Sequence, residues 1–215
     1  MTSRYTPQDI YLSMIREALR CLNAAAYLLS RYNGSADPVD LDSTVLQFRK
    51  ALEAIALASI APQKEKYEKY RSAAAAQADF TKDYHAKRIF QVLRKINKKF
   101  YPMALMSPQQ RPDGSWHYDK KTADVLTEKR FEVIYDRLGR VLHAANPWGT
   151  DPNRQNLAAD LSAALKETFE LIEIHAAFIQ SLDFNGVWVV IAKRESSEPE
   201  IMVATAGNEF AVQDS

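Results

Sequence analysis

Hydrophobic periodicity constrains this chain more than any other feature, because apolar side chains return every three or four residues over most of its length, then stop doing so. Such spacing lines one face of an α-helix. The first segment opens at Thr6 as N-cap, with Pro7 at the first helical position and Asp9 in the first turn. It carries a stripe through Ile10, Met14, Leu22 and Leu29 and ends at Asn33-Gly34. A turn-rich stretch through Asp37, Pro38 and Asp40 leads to a second helix, capped at Asp42 or Ser43, with Val45, Phe48, Leu52 and Ile55 inward and Pro62 closing it. Residues 63–81 are charged and then alanine-rich, which favours an exposed or frayed helix with little to bury. Ile89, Leu93, Ile96 and Phe100 define a third major helix, and Phe131, Ile134, Leu138 and Leu142 a fourth from Thr127 to Ala145. A fifth and longest starts at Asp151-Pro152 and buries Leu157, Leu161, Leu165, Phe169, Ile172 and Ile179.

After Asn185-Gly186 the period changes. Val187 to Ile191 and Ile201 to Thr205 are β-branched and aromatic runs separated by the polar stretch from Arg194 to Glu200, which predicts an antiparallel hairpin. Between Met103 and Asp124, Pro108, Pro112 and Asp113-Gly114 predict a small hairpin or ordered loop leading to Trp116, His117 and Tyr118. The expectation is an all-α (mainly α) single domain: a bundle of about five major helices over 1–183, a two-stranded β-hairpin over 184–206 and a tail over 207–215. A lone hairpin is marginal in water, so Trp188 needs cover from the helices or from a partner chain.

Composition narrows the class. With 47% hydrophobic and 26% charged residues in 215, the chain suits one globular domain, and its single cysteine, Cys21, forms no internal disulfide and no multi-cysteine zinc site. The N-terminus lacks the apolar segment of a signal peptide, and no 18-residue apolar stretch predicts a membrane span, so a cytoplasmic location is expected. Net charge is +1 but unevenly spread: residues 63–101 hold 11 basic and 4 acidic side chains, residues 151–215 hold 4 basic and 11 acidic. Either the two segments face each other or the basic one meets an anionic partner. The cations Lys87, Arg88, Arg94, Lys95, Lys98 and Lys99, with Tyr84 and Tyr101 nearby for stacking, are the candidates for RNA binding.

Six glycines leave no room for a phosphate-cradling loop, and there is no nucleophile elbow, HExxH or Glu-x-x-His pair, so neither a metal nor a cofactor is expected. His175 reads as a structural or surface residue, and Asp79, Asp83 and His85 as caps and surface charge rather than a cation site. Arg49 and Glu53, one turn apart, predict an internal ion pair.

The stretch from Tyr135 to Pro147 holds Arg137 and His143 with five residues between them, and Leu46 to Glu53 carries Arg49 and Glu53. These resemble the Arg-x(4–6)-His motif and the arginine- and glutamate-bearing core helix of HEPN domains, all-helical RNases of toxin and defence systems. Leu138 departs from the polar residue those nucleases carry after the arginine. The resemblance implies a metal-independent endoribonuclease or an RNA-binding domain, with His143 as general acid or base, Arg137 (or Arg140, nearly on the same face) holding the phosphate, and a homodimer that shares the site. The alternative is a non-enzymatic interaction module whose C-terminal hairpin engages a protein partner. Arg111 and His117 repeat the same spacing within the predicted loop.

Overall fold

The computed structural model describes residues 5–74, 79–142, 154–180, 185–194 and 198–205. Six α-helices lie among them: α1 (Pro7–Ser35), α2 (Pro38–Ala58), α3 (Lys64–Ala74), α4 (Ala86–Ile96), α5 (Glu128–Val141) and α6 (Arg154–Ile172). Helix α1 starts as its sequence predicts, with Thr6 and Asp9 forming a reciprocal capping box. It runs past Gly34 to a left-handed cap at Ala36. Helix α2 begins earlier than expected. Asp37, not Asp42 or Ser43, is the cap: its carboxylate accepts the Val39 N–H at 2.9 Å, and Pro38 occupies the first position, where a missing N–H costs nothing.

Helices α1 and α2 form an antiparallel pair whose shared face carries Ile15, Leu19, Leu22, Val45, Phe48 and Leu52, all fully buried. Helices α4 and α5 lie against α2, and α6 against α1. An aromatic cluster ties α4 to α5: Phe90 sits 4.7 Å from Phe131 and 5.1 Å from Phe100 between ring centroids. Such pairs contribute about 0.5–1.5 kcal/mol beyond the area they bury. Tyr101 belongs to this cluster and donates its hydroxyl to the Leu126 carbonyl at 2.8 Å, so it is not a stacking platform for a ligand. Helix α3 is anchored rather than frayed. Tyr67 is fully buried and bonds Asp83, which also receives a two-pronged bond from Arg71, each at 2.9 Å.

The C-terminal sheet is larger than the expected hairpin. Its order is β1 (Met103–Ala104), β4 (Ile174–Gln180), β5 (Asn185–Ile191), β6 (Glu200–Thr205), all antiparallel, and a separate two-stranded ribbon joins β2 (Gln109–Gln110) to β3 (Trp116–His117). The β5–β6 pairing is the expected one, with Val189 opposite Met202. The segment 174–180, expected as the end of the longest helix, is instead a strand paired along its length with β5, Ile174 opposite Ile191 and Phe178 opposite Val187. Gly186 to Val190 are buried without interruption, as in a strand covered on both faces, and β4 fills the edge of β5 that β6 leaves open. Ala177, Trp188 and Val190 face the helices, while Ala176, Val187 and Val189 meet Leu105 in a smaller outer core. Trp188, 3% exposed, packs edge-on against Tyr11 at 5.6 Å, so its cover comes from α1 of the same chain. No helix among the described residues is long and apolar enough to cross a membrane.

Candidate functional site

The two stretches that carry the sequence resemblance meet where α2 crosses α5. Arg49 and Glu53 are neighbours on one face of α2, with Nε and Oε1 3.2 Å apart, as their spacing predicts. The Arg49 guanidinium lies 4.0 Å from the Tyr135 ring centroid, donates through Nη2 to the Tyr135 hydroxyl at 2.7 Å, and through Nη1 to the Tyr135 carbonyl at 3.1 Å. That hydroxyl in turn donates to Glu53 at 2.8 Å. Burial, then the Glu53 carboxylate, raises the Tyr135 pKa well above that of a free phenol, so it stays a neutral donor.

Gly139 explains how Arg49 reaches this carbonyl. In an α-helix the Tyr135 carbonyl already accepts from residue 139, and its second lone pair is reached alongside that residue. A Cβ at position 139 would lie 2.6 Å from Arg49 Nη1, so glycine leaves the space the guanidinium fills. Tyr135 and Gly139 lie in the stretch from Tyr135 to Pro147, four residues apart on one helix face, but sequence reasoning assigned neither a role. The signal was that spacing opposite a helix with a charged pair in an apolar stripe.

Beyond Gly139 the candidate residues divide. Arg137 ion-pairs with Asp160 of α6, and Arg130, two turns earlier, reaches Glu167 at 3.0 Å and Asp160 at 3.4 Å. Arg137 therefore helps fasten α5 to α6. Arg140 is exposed and makes no ion pair among the described residues. Leu138, where the resemblance expects a polar residue, is 1% exposed and belongs to the core. His143 lies outside the described residues, as does the Asp151-Pro152 cap of α6.

The six candidate RNA-binding cations, four on α4 and Lys98 and Lys99 just beyond it, fall into two sets. Lys87 bonds Asp136 at 2.8 Å, and Arg94 bonds Glu128 and Glu132, so seven residues of α4 match eight of α5 in an antiparallel ladder. Arg88, Lys95, Lys98 and Lys99 are exposed and have no carboxylate partner among the described residues. Basic residues of 63–101 thus meet the acids of α5, while the acids of α6 meet Lys121, Arg130 and Arg137. The two oppositely charged segments do not simply face each other.

His175 is fully buried. Nδ1 must carry the proton it donates to the Ile172 carbonyl at 2.8 Å, which leaves Nε2 to accept from the Tyr11 hydroxyl at 2.7 Å. Burial lowers its pKa to about 4, so it is a neutral structural group. Arg111 and His117, the second match to the spacing, do come together: Arg111 donates to His117 Nδ1 at 2.7 Å and His117 Nε2 bonds Asp119 at 3.0 Å. With both ring nitrogens engaged, this imidazole braces the β2–β3 ribbon. Asp79 bonds Thr81 and Asp83 bonds Tyr67 and Arg71. Among the described residues no three His, Cys, Asp or Glu side chains gather to hold a metal ion. Cys21 is buried and its thiol pKa is pushed up to about 11, so it is not a nucleophile. No family model, curated protein or solved structure matches the chain.

Proposed function

We propose that this chain is a HEPN-like, RNA-directed domain acting as a metal-independent endoribonuclease, with His143 as the proton-transferring group. The observation that supports the reading is the α2–α5 crossing: Arg49 and Glu53 sit directly on Tyr135 and Gly139, inside the stretch that carries the motif, although 86 residues separate Arg49 from Tyr135. In the proposed reaction the His143 imidazole accepts the proton of a ribose 2′-hydroxyl, O2′ attacks the adjacent phosphorus, and the 5′-oxygen leaves with a proton from solvent, giving a 2′,3′-cyclic phosphate. An arginine fork on α5 binds the phosphate and its developing charge. Arg140 is available for this, whereas Arg137 is engaged by Asp160. A homodimer remains part of the proposal through the shared site alone, since Trp188 needs no partner chain.

The test incubates wild type and the His143→Ala, Arg137→Ala, Arg140→Ala, Arg111→Ala and His117→Ala variants with mixed RNAs in excess EDTA. His143→Ala should lower the cleavage rate by about 10²–10⁴, the usual cost of removing a general acid or base, and Arg140→Ala should act in the same direction. The two ribbon variants should cut as wild type does. Equal cutting by His143→Ala would remove the assigned site, and loss only in His117→Ala would move it to the ribbon. A second reading, a non-enzymatic interaction module, rests on the edge strand β6, where Met202 and Val203 are 44% and 57% exposed. It moves ahead if wild type leaves every RNA intact.

A further inference from the structure

Three parts of the chain, far apart in sequence, converge on one backbone acceptor. The Phe178 carbonyl on β4 receives Gln63 Nε2 at 2.5 Å and Asn97 Nδ2 at 3.4 Å. Gln63 immediately precedes α3, and Asn97 caps the C-terminus of α4. The start of α3 and the end of α4 are therefore pinned side by side against β4. Both amides are buried, and Asn97 Oδ1 also accepts the Lys99 N–H at 2.8 Å, which fixes the turn bearing Lys98 and Lys99.

Lys95 and Lys99 each lie over an aromatic ring, and Lys64 and Lys98 directly follow the pinned Gln63 and Asn97 in the chain. Lys95 Nζ lies 5.7 Å from the Tyr70 centroid on α3, and Lys99 Nζ lies 5.4 Å from the Phe178 centroid. None of the four lysines makes an ion pair among the described residues, and Glu65 and Glu68 of α3 pair with none of them. Lys87 and Arg94, the two α4 cations that do have carboxylate partners, point to α5 instead. The net result is a positively charged surface on a fixed frame, with rings interleaved among the charges.

We infer that this α3–α4–β4 surface binds single-stranded RNA, lysines on the phosphates and the Tyr70 ring against a base. A phosphate is a stronger partner for an ammonium than an aromatic face at an exposed site, so the strand would draw Lys95 off the Tyr70 ring and free a face for stacking. Stacking favours a single strand over a duplex, whose bases are closed to side chains, and over an acidic protein, which has no base to stack. The inference deepens the RNA-directed reading by naming the form of its substrate. Because α4 runs antiparallel to α5, the surface lies at the end of α4 away from residues 137–142, so binding here and cleavage there are separable.

Fluorescence anisotropy with a labelled single-stranded oligouridine, in EDTA and over a range of salt, tests it. Four phosphate contacts predict a slope of log K against log salt of about −3, and the Lys95→Gln/Lys98→Gln/Lys99→Gln variant should retain about −0.7. Tyr70→Ala should weaken binding at least about fivefold without changing the slope. Lys87→Gln, already engaged by Asp136, should leave the slope alone. Matching circular dichroism spectra and melting temperatures would show that the variants fold. Binding by the triple variant equal to wild type, equal affinity for a duplex of the same length, or equal affinity for polyglutamate would each overturn the inference, and so would no binding at all. A wild type that cleaves mixed RNA but does not bind the oligouridine overturns this surface but not the nuclease; a wild type that binds but does not cleave does the reverse.

Discussion

Two tyrosines tie distant parts of this molecule together, and they do it in opposite electrostatic ways. Tyr11 links α1 to the sheet through His175, both fully buried and neutral, with each imidazole nitrogen given one partner. Tyr135 links α5 to α2 through Arg49 and Glu53, whose side chains keep 19% and 25% of their surface in contact with solvent. A charge kept partly wet avoids most of the desolvation cost that a fully buried ion carries, and so it can be held with directional bonds and still be rearranged. The neutral junction has no such latitude. The first is a structural lock, and the second is where polar chemistry lies beside the candidate motif.

Acidification should expose this difference most strongly. The His175 pKa is depressed from 6.5 to about 4, so the unfolded chain binds a proton that the folded one refuses. Its contribution is intact above pH 6.5 and is lost as pH falls toward 4, by about 3 kcal/mol in all. Urea melts at pH 7 and pH 4 should show that loss in wild type and much less of it in His175→Gln; an equal pH dependence in both would refute the lock. Next in size is the removal of each hydroxyl. Tyr11→Phe leaves His175 Nε2 buried without a donor and should cost about 1–3 kcal/mol, whereas Tyr135→Phe leaves Arg49 bonded to Glu53 and to a backbone carbonyl and should cost about 1 kcal/mol. The same urea melts would reverse the comparison if Tyr135→Phe were the costlier.

A smaller effect tests the junction itself by its sign. Gly139→Ala should gain about 1 kcal/mol in helix propensity. It loses more than that in wild type, because the new Cβ evicts the Arg49 guanidinium, and should give a net loss of about 1 kcal/mol. In an Arg49→Ala background the same substitution should stabilise. Stabilisation in both backgrounds would mean that Arg49 does not depend on the glycine. Smallest of all, Arg94→Gln on the exposed α4–α5 ladder should cost about 0.5 kcal/mol, vanishing in high salt, as measured by thermal melts at two ionic strengths.

The helices were legible because burial of an amphipathic face imposes its period on the sequence locally, and the Thr6 cap, the Arg49–Glu53 pair and the β5–β6 hairpin are likewise local patterns. Local spacing sufficed for those elements and for the mainly helical class. It did not determine β4, because Ile174 to Gln180 fits a helix or a strand equally well until the open edge of β5 claims it. Nor could it separate Lys87 and Arg94 from Lys95, Lys98 and Lys99: all belong to one run of basic residues, and only the position of α5 decides which are neutralised. The tertiary structure made those choices because hydrogen bonds and ion pairs depend on distances between segments, and spacing along a chain carries no information about which distant segment arrives.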